Sequence, residues 1–334
     1  MVIKTLSAFK EEVSKNLLAN LDDKNRSRAS HLKVQMIETN TTTIPDVPGF
    51  TQWTTFDDTP HWMYCLNDEY MLVVNRYSET VWAVYSLMKV SNFSNSIYPW
   101  IKNTVDLDRC WIPAGYMEGM GKENGWEERG IGVKFSDEFN DEDNHCPVSI
   151  KGWYGRNDTV DKALNILKNE FAISSMRFKD RETSMISEWY SSGKITFNAC
   201  EDVDSIIDSV NQMLFRYSND LRAARNMRDS EHGSFELTFT QSIDMEKFSE
   251  IVRKGSTDLR LWMTETETHP DFRRFRGIDM HTWDRVFLDL GENYIYLTVP
   301  GKGCVNAAPR MMTLQGESIG GKTKVFYNGS QLFV

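Results

Sequence analysis

GESIGGKTKVFYNGSQLFV, residues Gly316 to Val334, carries two incompatible readings. Its first eight residues, Gly316–Thr323, satisfy the P-loop pattern G-x-x-x-x-G-K-[ST] at every fixed position. A P-loop needs a buried strand before the glycine-rich turn and a helix after it, so that backbone N–H groups at the helix start face the phosphates. Here the order is reversed. Cys304 to Leu314 reads as a helix, and Lys324 to Val334 reads as two short β-runs around Asn328-Gly329, the dipeptide that supplies the positive φ angles of a type I′ turn. The glycines are therefore expected to be a helix stop and a loop into a C-terminal β-hairpin, with no helix for a phosphate to sit on.

Working back from the tail, strands and helices segregate. The spacing predicts strands over Val148–Tyr154, Ile173–Phe178 and Phe235–Thr240, and a hairpin, Ile186–Tyr190 and Lys194–Asn198, around Ser191-Ser-Gly193. It predicts helices over Thr159–Phe171, Val203–Met227 and Met245–Arg253, with Asp158, Asp202 and Asp244 as N-caps and Gly255 as a stop. Leu259–Thr266, Arg274–His281, Val286–Leu290 and Tyr294–Val299 read as a meander.

In the first half, Leu6, Phe9, Val13, Leu17 and Leu21 form one helical stripe, read as an arm that packs on the body or on another chain. Asp22–Ser30 and Thr39–Gly49 read as loop or tether. A hairpin is expected around Asn67-Asp68, a helix over Glu79–Val90, a short helix around Tyr116 and Met117, and a strand over Gly130–Phe135. Gly119-Met-Gly121-Lys-Glu-Asn-Gly125 misses G-x-G-x-x-G by one residue and reads as a polar turn. Asp137–Asn144 is acidic but lacks the central Gly and distal Glu of an EF-hand, so it reads as a solvated linker. The expected organisation is α+β, with antiparallel or mixed sheets, packed helices and two subdomains: residues 1–48 as helix and tether, 49–144 as an acidic subdomain, 145–334 as a larger one.

Composition narrows the function classes. The net charge of −10 is uneven: residues 1–150 hold 14 basic and 22 acidic side chains, residues 151–334 hold 24 and 26. Non-specific binding of a polyanion by the whole surface is disfavoured. Five scattered cysteines (65, 110, 146, 200, 304) without a C-x-x-C pair read as reduced thiols of a cytoplasmic protein. The longest apolar run, Val81–Met88, is far short of a membrane helix. Ten Trp, twelve Tyr and eighteen Phe fill cores and also suit interfaces.

Three places bear chemistry. The densest polar run extends from His269 to Arg285. On a strand, Asp279 and His281 share a face about 7 Å apart, and with His269 and Asp271 they make a candidate divalent-metal set for phosphodiester hydrolysis. The structural alternative pairs the neighbouring arginines with Glu265, Glu267 and Asp289. The second place is an arginine row, Arg222, Arg225 and Arg228, which with Arg273, Arg274 and Arg276 reads as a basic groove for nucleotide or nucleic acid, or as side chains answering the helix dipole. The third is the loop Pro300–Asn306, where Lys302 and Gly303 precede a helix start that suits an anion. Cys304 lies in that loop, and no His partner can be assigned to it.

No complete catalytic motif is present. The expected function is a non-catalytic interaction or scaffold subunit of an intracellular multi-protein assembly, with a protein partner or a second copy of the chain, no membrane and no cofactor. The alternatives are a metal-dependent phosphoesterase or nuclease at residues 269–284, and a nucleotide or nucleic-acid module on the arginine patch.

Overall fold

The computed structural model describes residues 3–21, 31–135, 148–153, 168, 172–231, 233–239, 242–254, 259–319 and 323–333. The tether at 22–30, the acidic loop at 137–144, the helix expected over 159–171 (Lys168 apart), Gly255, Cys146, His145, His232 and Gly320–Lys322 of the P-loop match lie outside the described residues. The described residues form an α+β protein with two antiparallel sheets, of eleven and seven strands. Two compact units comprise Met1–Cys110, Glu118–Glu128 and Met176–Ser218 on one hand, and Trp111–Met117, Arg129–Ser175 and Asn219–Val334 on the other. Among the described residues no helix is long and apolar enough to cross a membrane.

The helices are α1 (Leu6–Ala19), α2 (Val90–Asn103), α3 (Ala114–Glu123), α4 (Val203–Glu231), α5 (Met245–Lys254) and α6 (Ala307–Ile319). The strands of the larger sheet are β1 (Leu32–Thr39), β2 (Thr54–Phe56), β3 (Thr59–Leu66), β4 (Met71–Asn75), β5 (Val81–Ser86), β6 (Leu107–Arg109), β7 (Glu127–Phe135), β8 (Val148–Trp153), β9 (Ile173–Lys179), β10 (Ile186–Tyr190) and β11 (Lys194–Ala199). Those of the smaller are β12 (Phe235–Phe239), β13 (Leu261–Thr268), β14 (Arg273–Asp279), β15 (Arg285–Leu290), β16 (Tyr294–Thr298), β17 (Thr323–Tyr327) and β18 (Ser330–Leu332).

In the first unit the strands run in the order β2-β3-β4-β5-β1-β11-β10-β9, with β6 also paired to β1. Helix α1 starts with Thr5 accepting from the Ala8 N–H at 3.2 Å and buries Leu6, Phe9, Val13 and Leu17. It packs against β11, so the expected arm lies on its own unit, and Leu21, past the helix end, is exposed. The helix expected over Glu79–Val90 is instead strand β5 followed by α2. All six residues of β5 are buried, and a strand covered on both faces shows no alternation to distinguish it from a helix. Helix α2 forms despite Pro99 because Phe93, Ile97, Trp100 and Ile101 bury one face. Gly119 and Gly121 belong to α3 rather than a turn. A side chain at Gly121 would press on the Phe178 ring, 2.5 Å from its Cε1.

Strand β1, at the centre, has all eight residues buried, Lys33 among them. The Lys33 ammonium donates to the His31 carbonyl at 2.7 Å and to that of Met88. Burial, with Lys194 adding to it, pulls its pKa down to about 8. Folding therefore disfavours the charged form, a penalty on the order of 3 kcal/mol. It is fully present below about pH 8 and vanishes as pH rises toward ~10.4, the unfolded value. Lys33→Met is expected to remove this dependence. Urea midpoints of wild type should climb between pH 8 and pH 10 relative to the variant, and parallel profiles would show that Lys33 is not desolvated. The thiols behave alike: burial lifts Cys65 to about 12 and Cys200 to about 11, so both stay protonated and unreactive.

In the second unit β7 and β8 pair from Gly130 opposite Trp153 to Phe135 opposite Val148. The smaller sheet runs β13-β14-β15-β16-β12-β17-β18. One face carries Leu261, Met263, Phe275, Val286, Leu288, Ile295, Leu297, Leu237 and Val325, all buried, with α5 beside β13 and α6 on β12 and β17. The tail is the expected hairpin: β17 and β18 flank Asn328 (φ 46°) and Gly329 (φ 81°). Helix α6 extends into Gly316–Ile319, and the Thr323 hydroxyl donates to the Gln315 side chain. The Thr that a P-loop would place on Mg²⁺ thus ties the hairpin to α6.

Candidate functional site

Strand β14 separates the four metal candidates. His269 and Asp271 occupy the turn entering it. The Asp271 N–H donates to the His269 Nδ1 at 3.3 Å, the Asp271 side chain is 87% exposed, and the imidazole stacks on Phe272. Asp279 and His281 are at the far end, roughly 20 Å away for a strand of this length, and both are fully buried. Nor do these two share a strand face. β14 stops at Asp279, and His281 lies in the following turn with its N–H donating to Asp279 Oδ1 at 2.8 Å.

What Asp279 does is visible from its partners. Arg310, on α6, grips it with both terminal nitrogens, Nη2 to Oδ2 at 2.6 Å and Nη1 to Oδ1 at 3.1 Å, and Nη1 also donates to the Leu259 carbonyl at 2.8 Å. Both side chains are wholly shielded from solvent. The Asp279 backbone closes the turn: its N–H donates to the Asp284 carbonyl at 2.8 Å, and its carbonyl accepts from Trp283 N–H at 2.6 Å. The Met280 N–H donates to the Arg260 carbonyl at 2.8 Å. Trp283 is held at φ 61°, a left-handed backbone that a bulky side chain rarely adopts, and its indole is 60% exposed. The buried ion pair is thus the clamp of a turn that presents a tryptophan to solvent.

His281 Nδ1 lies 3.2 Å from Cys304 Sγ, the thiol for which the sequence offered no partner. Both are buried, so the pair joins the turn after β14 to the loop before α6. In that loop Lys302 is exposed, while Gly303 turns its carbonyl to Arg228 and donates its N–H to the Pro300 carbonyl at 3.2 Å. The N–H groups of Ala307 and Ala308 donate to the carbonyls of Cys304 and Val305 at 3.2 and 3.1 Å. These backbone donors at the start of α6 are therefore engaged within the loop itself.

Four of the six arginines are held by neighbouring side chains. On α4, Arg222 donates to Asn219 at 2.6 Å, Arg228 pairs with Asp229 at 2.8 Å, and Arg225 is half-buried. Arg273 bridges Glu265 at 3.0 Å and Glu246 at 2.5 Å; Arg274 bridges Asp289 and Glu267, each at 2.8 Å. Burial works against the Glu265 carboxylate, yet the hydrogen bonds from Thr268 and Arg273 outweigh it and hold its pKa below the usual value. Arg276 differs: it is exposed, and no carboxylate among the described residues pairs with it.

Arg276 stands on the outward face of the smaller sheet, among residues the sequence reading left out of its site. Alternation and register set Trp262 beside Ile278 and Ile278 beside Arg285, and in the next row Arg276 beside Phe287. Trp262 is 66% exposed and Tyr296, further along the same face, 39%. Arg285 is exposed and likewise has no carboxylate partner among the described residues. Trp262 was legible, since Leu261-Trp-Met-Thr264 alternates. Arg310, about thirty residues from its partner, was not. The first unit holds a second unforeseen feature: Glu38 and Asp108, both buried, face each other across β1 and β6.

Fold and site together define an α+β protein with an aromatic sheet face and a buried polar clamp beneath the Trp283 turn. The chain belongs to the MJECL33-like protein family, which matches residues 5–320. It is 22% identical over 312 residues, covering 77% of this chain and 76% of the relative, to the uncharacterized protein MJECL33 of Methanocaldococcus jannaschii.

Proposed function

We propose that this MJECL33-like protein is an interaction subunit that acts by contact, through the outward face of the seven-stranded sheet and the Trp283 turn. One observation carries the reading. The Asp279–Arg310 pair at the core of the densest polar cluster is buried and spent on shaping a turn, while Trp262 and Trp283 stand more than half exposed. Exposed Trp and Arg on a structured surface are the residue types that dominate binding energies, and holding a bulky residue at positive φ costs on the order of 1–3 kcal/mol. Such strain is easiest to account for if the displayed side chain is used.

The test is affinity purification of the full chain from its native cells, wild type beside Trp262→Ala/Trp283→Ala. Both side chains are exposed, so the double variant should melt within about 1 kcal/mol of wild type. A stoichiometric partner present with wild type and lost with the variant is the expected result. Equal recovery with both would remove the face from the interaction.

A further inference from the structure

We infer that the occupant of this face is single-stranded nucleic acid, its bases stacking on Trp262 and Trp283 and its phosphates meeting Arg276 and Arg285. The inference rests on the reading of the face as a contact surface and gives it a ligand class.

Charge comes first. Of the carboxylates on this face, Asp289 and Glu267 both bind Arg274, and Glu236 lies beside Tyr296 on β12, two strands away from β15. Arg276 and Arg285 are left as exposed cations with no acid among the described residues to neutralise them. They are diagonal neighbours across β14 and β15, since Arg276 faces Phe287 and Arg285 precedes Phe287 by two. That places them about 7 Å apart, close enough to serve one extended anion. The chain's net charge of −10 does not cancel this, because at physiological salt exposed charges more than ~8 Å away are largely screened.

The arrangement then separates nucleic acid from an acidic protein segment. Protein interfaces concentrate apolar residues at the centre and exclude charge from it. Here cation and ring alternate: Trp262, Ile278 and Arg285 form one row, Arg276 and Phe287 the next. Rings interleaved with guanidinium groups on an open sheet are what single strands use, since every base has a π-face to stack and a phosphate beside it. Two phosphate contacts also imply weak salt dependence, a log–log slope of about −1.4 for a single strand.

The experiment is a fluorescence-anisotropy titration of a fluorescein-labelled oligothymidylate with the full chain at several KCl concentrations. We expect saturable binding, a slope near the value above, and an affinity loss of about tenfold or more in Trp262→Ala. Arg276→Ala/Arg285→Ala should flatten the salt dependence while melting as wild type does. No binding, or binding indifferent to these variants, overturns the ligand assignment. If that happens while Trp262→Ala/Trp283→Ala still loses its co-purifying partner, the face remains a contact surface and its ligand is of another class, an acidic protein segment included. If the partner is retained as well, the underlying reading falls with it.

Discussion

Replacing Arg310 with methionine should lower the stability of the second unit by about 3–5 kcal/mol. The reason is desolvation. Asp279 and Arg310 are both at 0% exposure, and the guanidinium supplies two of the hydrogen bonds to the carboxylate. Without it Asp279 keeps the His281 N–H but loses its counter-charge in a site without water access, and the Leu259 carbonyl loses a donor. Removing both charges in Asp279→Leu/Arg310→Met is expected to recover most of the loss, because a buried pair is often worth no more than apolar residues of similar volume. Recovery of stability should not restore the turn, since the carboxylate that caps His281 is gone. Urea midpoints report the first effect and the fluorescence of Trp283, isolated by comparison with Trp283→Phe, reports the second. An Arg310→Met variant within 1 kcal/mol of wild type would mean that the pair does not carry the turn.

Gly277→Ala is the second large effect, at about 3 kcal/mol. The glycine lies inside the strand expected over Arg274–His281, and β14 passes straight through it. β13 approaches so closely that an ideal Cβ would overlap the Trp262 carbonyl oxygen and stand 2.6 Å from Met263 Sδ and 2.9 Å from Met263 Cα. Two of those atoms are backbone, which cannot rotate away, so β13 must shift. Trp262 moves with it. The variant should therefore melt early and lose contact through the sheet face together. Thr264→Ala, exposed on the same strand, should stay within about 0.5 kcal/mol of wild type. A Gly277→Ala protein as stable as that control would show that the close approach is relieved without cost.

Local signals were legible wherever a side chain acts on its own backbone. Asp202 accepts from the Asp204 N–H at 2.9 Å and opens α4, and Asp244 does the same for α5 at 3.0 Å. Asn67 shapes the β3–β4 turn through the N–H groups of Glu69 and Tyr70. Amphipathic strands such as β12 and β16 betray themselves by alternation. β1 does not, because Lys33, Gln35 and Glu38 are buried in it and its polar spelling resembles a loop. The candidate site shows the same division. Its residue types were visible in the run from His269 to Arg285, but not their employment.

By itself, then, the sequence determined the α+β class, the terminal hairpin in place of a P-loop, and most helices and strands of the second half, since caps, turns and periodicity act over a few residues. The tertiary structure alone decided that Asp279 meets Arg310, that His281 meets Cys304, and that, among the described residues, no carboxylate pairs with Arg276 or Arg285 while Arg273 and Arg274 are neutralised. Each of those outcomes depends on which strands lie side by side and in what register, and sheet order is set by burying one face of seven strands at once, a condition no short segment carries.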